Sequence, residues 1–335
     1  MGVKEGEKMN IKHIFKTIIN KFRNKNIKEL PMEDRYAEIV DTIEDLDLAK
    51  HFEEDMPNEV RDKINKYDKI KDLYNFPLNT KIPVNNSTEI VKSFFNEFDY
   101  DIGKKIGEIF KGSNGNIHMQ IRKANDESEA GSVTNPSKLP VYVDIPVFGD
   151  LRDAYTMVHE LTHTLDIKNK DLATRRILGE VAPQCMERML DDFLKNIPDI
   201  EKKKYGISDD ILEEDIETRR TTTFITRYRN VMSLNREHGN REMDIRYMLA
   251  QMYSSKFIQQ YNNSETLLKF IKYVEDDDFE NANKTFGIKI DKRYSVDRNL
   301  LINSCYNDVI SEKEDISKEV EKAHVKSEKK EIERE

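Results

Sequence analysis

Apolar residues recur every three or four positions along most of the chain, which is the spacing of an amphipathic helix. Over residues 31–110 and just beyond, helix breakers interrupt this pattern at Pro57, Pro77, Pro83 and Gly112. The pattern therefore predicts a mainly α-helical protein, with a region of several helices over residues 31–110.

Two short segments depart from the helical spacing and alternate apolar and polar residues, with β-branched side chains that are typical of strands. They are residues 117–121 and residues 141–145, and a polar loop over residues 124–138 separates them. We therefore expect a small antiparallel β-sheet in an otherwise helical fold. His118 is expected to be a strand residue near the sheet edge rather than a metal ligand.

The two ends of the chain are rich in charge. In residues 1–30, lysine and arginine alternate with isoleucine and phenylalanine at helical spacing, which predicts a basic amphipathic helix. Such a helix can lie on an anionic membrane surface or dock on the acidic body of its own protein, and the net charge of -9 favours docking on the protein. Residues 311–335 are mostly charged, which predicts a frayed helix or a disordered tail.

Composition narrows the class of protein. A chain of 335 residues can form one large domain or two modest ones. The negative net charge argues against nucleic-acid binding. Two cysteines cannot form a disulfide framework, which favours a reducing, cytoplasmic location. The sequence has no apolar run of membrane-spanning length and no secretory signal at its start.

The strongest chemical signal is the run His159-Glu160-Leu161-Thr162-His163. Residues four apart lie on one face of a helix, so the two histidines can bind a single zinc ion while Glu160 acts as the general base. All the other residues from 156 to 165 are uncharged, as expected for a metal-bearing helix that is buried in a cleft. The alternative is an amphipathic helix with two histidines at its polar seam.

A catalytic zinc site needs a third protein ligand. The metzincin pattern is excluded, because Asp166 and Asn169 stand where that pattern requires glycine and histidine. We expect the motif helix to run to Ile167, the chain to reverse over residues 168–171, and a second helix to return from Leu172.

This return places Glu180 at the level of the histidines, so Glu180 is the predicted third ligand. Gly179 allows a close approach of backbone and metal, and Pro183 is expected in the first turn of a new helix. Glu187 lies two turns beyond Glu180 on the same face. It is either a partner that orients a ligand imidazole or a lone surface glutamate.

Residues 153–163 followed by residues 179–187 resemble the catalytic core of the oligoendopeptidase F and thimet oligopeptidase family. In that family a glutamate on the following helix completes a two-histidine, one-glutamate (gluzincin) zinc site, and a second glutamate stands two turns later. The resemblance covers about residues 100–290 and implies a helical, zincin-type metallopeptidase with a deep cleft. The chain departs from the family at Thr162, at Asp166 and in its shorter connection to the third ligand.

Residues 244–255 resemble the tyrosine-bearing helix that faces the zinc in this family. The resemblance implies that Tyr247 stabilises the oxyanion, with Tyr253 and His238 as alternatives. The two tyrosines can instead pack a helix–helix seam, and His238 is expected in a turn, where it can be a plain loop residue. The family also implies that the small sheet borders the cleft and pairs with the backbone of an extended peptide.

These observations predict a Zn²⁺-dependent metalloendopeptidase whose catalytic core spans residues 111–310. A zinc-activated water would attack peptide bonds in oligopeptides or unfolded segments, with Glu160 as the general base. One alternative is a non-catalytic, zinc-stabilised binding module, against which the intact Glu160 argues. The others are a helical interaction protein and an effector-type protease with one specific protein target.

Overall fold

The computed structural model describes residues 52, 56–67, 69–70, 73, 76–126, 129–134, 139–165, 172–232, 238–276, 278, 281 and 298–310. For residues 172–178, 238–246 and 298–301 the description is limited to the backbone. The basic helix expected over residues 1–30 and the charged tail expected over residues 311–335 lie outside the described residues.

The described part of the chain is mainly helical with one small sheet, which confirms the prediction from the hydrophobic pattern. Its elements in chain order are α1 (Asn58–Lys66), α2 (Val84–Phe98), α3 (Tyr100–Phe110), β1 (Ile117–Lys123), β2 (Ser132–Thr134), β3 (Val141–Val147), α4 (Arg152–Thr162), α5 (Leu172–Asn196), α6 (Asp199–Tyr205), α7 (Asp209–Met232), α8 (His238–Gln260), α9 (Ser264–Glu275) and α10 (Arg298–Ile310).

The predicted breaks at Pro57, Pro83 and Gly112 lie at boundaries of the first helices. Helices α1 and α2 start directly after Pro57 and Pro83, whose fixed φ suits the position before a helix. The Asp99 side chain accepts a hydrogen bond from Ile102 N at 2.9 Å and caps α3. Helix α3 then ends just before Gly112, which has a φ of 65°.

The two predicted strands are present, but the prediction that they form an antiparallel sheet was wrong. β1 pairs in parallel with β3, and β2 pairs antiparallel with the other edge of β3, so the sheet is mixed and has the order β1-β3-β2. The antiparallel partner of β3 is instead the short Ser132–Thr134 segment, which lies inside the expected loop, and β1 pairs in parallel with the opposite edge of β3. His118 is an exposed strand residue whose ring stacks on Tyr142, as expected for a residue that is not a ligand.

Three predicted details of the helices were wrong. Helix α4 ends at Thr162, with turns in the next residues, rather than continuing to Ile167, although α5 does return from Leu172. Pro183 lies inside the continuous α5 and not in a first turn. Pro183 lines a small cavity between α5 and α9, and these two helices pack against each other. We attribute the uninterrupted helix to this packing, which offsets the cost of about 3 kcal/mol for the lost hydrogen bond. His238 begins α8 instead of lying in a turn, and its side chain is outside the described residues.

Helix α4 lies at the centre of the hydrophobic core in the described residues. Helix α4 packs against β3 on one side and against α2 and α5 on the others, while α5 also contacts α8. Ala154, Met157, Val158 and Leu161 of α4 are all fully buried. Because α4 is enclosed by the sheet and two helices, the polar groups that it carries are held rigidly. No helix in the described ranges is both long and apolar enough to cross a lipid bilayer.

Candidate functional site

The structure brings together the three side chains that the sequence nominates as metal ligands. His159 and His163 lie at the end of α4, and Glu180 lies on α5, which runs back beside it. Glu180 Oε2 is 3.3 Å from His159 Nε2 and 3.7 Å from His163 Nε2. The two Nε2 atoms are 3.3 Å apart. Three potential ligand atoms therefore form a nearly equilateral triangle.

Two sides of this triangle have the length expected between neighbouring ligands of a tetrahedral zinc ion, and the third, at 3.7 Å, is slightly longer. Zinc binds histidine nitrogen and carboxylate oxygen at about 2.0–2.2 Å, so neighbouring ligand atoms of a tetrahedral site lie about 3.3–3.5 Å apart. Glu180 Oε2 is buried, and apart from the two imidazole nitrogens it has no hydrogen-bond partner among the described residues. A cation between the three atoms would offset the cost of burying this negative charge. The three side chains are therefore a donor set that could hold a metal ion.

Glu160 lies beside this triangle and is 92% buried, since its relative exposure is 8%. Burial, together with the neighbouring carboxylates of Glu180 and Glu187, raises the pKa of Glu160 to about 7. Its side chain lines the same cavity as His159. A carboxyl group with a pKa near neutrality can accept and return a proton, which suits a general base.

Gly131 packs directly against Glu160. A Cβ atom at position 131 would lie 2.7 Å from Glu160 Cγ and 2.8 Å from Glu160 Oε1, closer than real contacts allow. The segment that carries Gly131 is fixed at both ends, because Glu129 accepts a hydrogen bond from Arg122 at 2.7 Å and β2 pairs with β3. The absence of a side chain at Gly131 therefore leaves the space that the Glu160 carboxylate occupies.

Glu187 contacts His159, so the alternative prediction that Glu187 is a lone surface residue was wrong. Its side chain is 9% exposed, and Oε1 lies 2.5 Å from His159 Nδ1. Its other oxygen, Oε2, accepts a hydrogen bond from Arg219 of α7. A carboxylate on Nδ1 fixes the ring so that Nε2 faces Glu180 and His163.

The charged state of these groups follows from their contacts. Burial alone would lower the pKa of His159, but the Glu180 and Glu187 carboxylates raise it well above its usual value. Burial alone would raise the pKa of both glutamates. The imidazoles lower the pKa of Glu180, and Arg219 with His159 holds the pKa of Glu187 well below its usual range. Both carboxylates are therefore ionised at neutral pH.

The far wall of the cavity is formed by α7 and α8. Tyr247 lines the cavity, and the Arg227 guanidinium lies 5.8 Å from the centre of its ring. Tyr253 is 3% exposed and lies in the hydrophobic core, so of the two tyrosines Tyr247 is the one that lines the cavity. His238 cannot be placed relative to the cavity, because its side chain lies outside the described residues.

Sequence reasoning missed Gly131 and the buried arginines of α7. Arg219 and Arg220 are adjacent in the sequence, and each forms an ion pair with a carboxylate on α5. A weak signal for them does exist, because the polar run over residues 217–223 lies between Ile216 and Phe224, which are buried. Charges next to buried positions indicate buried partners, but not which partners. Gly131 carries no comparable signal.

Comparison with known proteins gives no match: no family model and no curated protein matches the sequence, and no solved structure matches the fold. The resemblance to the oligopeptidase family therefore rests on the motifs alone.

Proposed function

We propose that this chain is a zinc-dependent metallopeptidase that hydrolyses peptide bonds in oligopeptides or unfolded segments. One observation carries the proposal. Two histidines and a glutamate from different helices hold their Nε2, Nε2 and Oε2 atoms at the spacing of a tetrahedral zinc site, and the Oε2 atom has no other partner in the described part of the chain. Glu160 lies next to them in the same cavity as His159.

His159, His163 and Glu180 would hold the ion. When bound there, zinc would lower the pKa of a water molecule and polarise the carbonyl of the scissile bond. Glu160 would accept a proton from the attacking water and return it to the leaving amine. Glu187 keeps the His159 ring in its binding orientation throughout.

On the opposite wall, the Tyr247 hydroxyl would donate a hydrogen bond to the carbonyl oxygen as negative charge develops on it. Such a donor contributes a few kcal/mol to the barrier reduction when it is already in place. The resemblance to the oligopeptidase family agrees with this assignment, since it places a tyrosine-bearing helix across the cleft from the zinc.

The test is metal analysis of the purified protein, followed by incubation with a library of unstructured peptides. We expect about one zinc per chain and cleavage that stops when a chelator removes the metal. Glu180→Ala should weaken zinc binding sharply. Zinc without cleavage of any peptide would favour the non-catalytic binding module, and no zinc would overturn the proposal.

Tyr247→Phe removes one hydroxyl group and nothing else. If this hydroxyl donates to the oxyanion, kcat should fall about ten to a thousand fold, with little change in KM or Tm. Tyr253→Phe is the matched control, because Tyr253 lies on the same helix but in the core. Steady-state kinetics of both variants decide the question. A preserved kcat together with a lower Tm for Tyr247→Phe would mean that Tyr247 only packs the helix seam.

Gly131→Ala should lower kcat by about 10 to 100 fold, because its new methyl group displaces the Glu160 side chain and small misplacements of a catalytic group are costly. Zinc content should not change, since the three atoms nearest to the new Cβ position belong to Glu160 and Thr156 and not to a proposed ligand. Gly115→Ala serves as the control, because no described atom lies within 4 Å of its Cβ position. Equal kcat values for the two variants would remove the positioning role of Gly131.

A further inference from the structure

Behind the candidate site, two chains of buried polar contacts run in parallel across helices α4, α5 and α7. The histidine chain links His159 to Glu187 and Glu187 to Arg219. The tyrosine chain links the Tyr155 hydroxyl to Asp191 at 2.6 Å, and Asp191 to Arg220 at 2.7 Å. The two chains are displaced by four residues on α4 and on α5, which is one turn, and they end at adjacent arginines on α7.

We propose that Arg219 is a positioning residue that fixes the orientation of His159 through Glu187, a role that rests on the proposed zinc site. Glu187 has two oxygens with different partners: Oε1 on His159 Nδ1 and Oε2 on Arg219. A guanidinium is always charged and donates along fixed directions. It therefore sets the rotation of the Glu187 carboxylate, which in turn sets the direction of His159 Nε2.

Arg219 is itself held in place. Its guanidinium lies over the Tyr155 ring at 3.9 Å, and its side chain is only 18% exposed. Stacking on an aromatic face and pairing with a buried carboxylate both restrict the rotation of the group. Tyr155 and His159 lie one turn apart on α4. Arg219 therefore contacts the helix that carries the ligand in two ways: directly, by stacking on the Tyr155 ring, and indirectly, through Glu187, which contacts His159.

The tyrosine chain provides an internal comparison. Arg220 also pairs with a buried carboxylate of α5, and its side chain is likewise 18% exposed. Its carboxylate, Asp191, contacts the Tyr155 hydroxyl, which is not one of the proposed ligands. A purely structural role for the arginines predicts similar consequences when either is replaced. A positioning role predicts that only Arg219 affects the metal.

The experiment compares Arg219→Met with Arg220→Met in the full chain. Zinc affinity is measured by competition with a chromogenic chelator, after circular dichroism has verified the fold. We expect Arg219→Met to bind zinc about 10 to 100 fold more weakly than the parent protein, as for other groups that orient a ligand histidine, and Arg220→Met to stay within about threefold. The absorption spectrum of the cobalt-substituted protein should shift for Arg219→Met and not for Arg220→Met, because it reports the ligand geometry directly.

If either methionine variant fails to fold, the pair Arg219→Lys and Arg220→Lys replaces it. Lysine keeps the charge but loses the fixed donor directions, so zinc affinity should again fall for position 219 alone. Equal losses at the two positions, or no loss at position 219 in a parent protein that binds zinc, overturn the inference and leave the proposed function intact. A parent protein that binds no zinc overturns the proposed function, and the inference with it.

Discussion

Replacing Glu160 with glutamine should reduce peptide cleavage by at least about two orders of magnitude, because an amide cannot accept the proton of the attacking water. The zinc content should stay at about one per chain, since Glu160 is beside the proposed ligands and not among them. Burial raises the pKa of Glu160 to about 7, so this environment disfavours the charged carboxylate relative to water. The neutral amide is therefore expected to leave Tm unchanged or slightly higher.

Three measurements on Glu160→Gln separate an effect on the cleavage step from an effect on zinc binding. They are single-turnover cleavage assays, zinc analysis and a thermal melt. Turnover equal to that of the parent protein would show that Glu160 is not the general base. Loss of zinc along with activity would instead indicate that the substitution disturbs the ligands, and the comparison would then say nothing about proton transfer.

The double replacement His159→Ala and His163→Ala should abolish stoichiometric zinc binding, because two of three ligands cannot be removed without a collapse of affinity. Bound metal stabilises the folded state, so a chelator should lower the Tm of the parent protein. The same chelator should leave the Tm of the double variant unchanged. Elemental analysis of both proteins measures the metal directly.

His118→Ala is the matched control for this experiment, because His118 is an exposed strand residue outside the metal cluster. It should retain zinc and should respond to the chelator as the parent protein does. Zinc content that is equal in the double variant and the parent protein would remove the metal site, and the proposed hydrolase with it.

The local structure around the motif follows from the sequence alone. His159 and His163 lie on one face because His163, the residue directly after α4, keeps a helical backbone, and residues four apart in a helix lie one above the other. The uncharged flanks predict that this helix is buried, and α4 is enclosed on three sides. Pro57 and Pro83 likewise fix where α1 and α2 begin, because proline acts on its own backbone. Each of these features depends on neighbours within about one helical turn.

Only the tertiary structure decided which distant residues contact the motif. The sequence nominates Glu187 either as a ligand partner or as a surface residue, and only the packing of α5 against α4 brings its carboxylate onto His159. Arg219 reaches that carboxylate from α7, and Gly131 reaches Glu160 from the loop before β2. The parallel pairing of β1 with β3 is a feature of the same kind, because it belongs to a sheet in which a third strand, β2, pairs antiparallel with the other edge of β3. The periodicity of apolar residues predicts which side of a helix or strand is buried. Which distant elements then contact each other depends on how all the buried faces pack together in the folded protein.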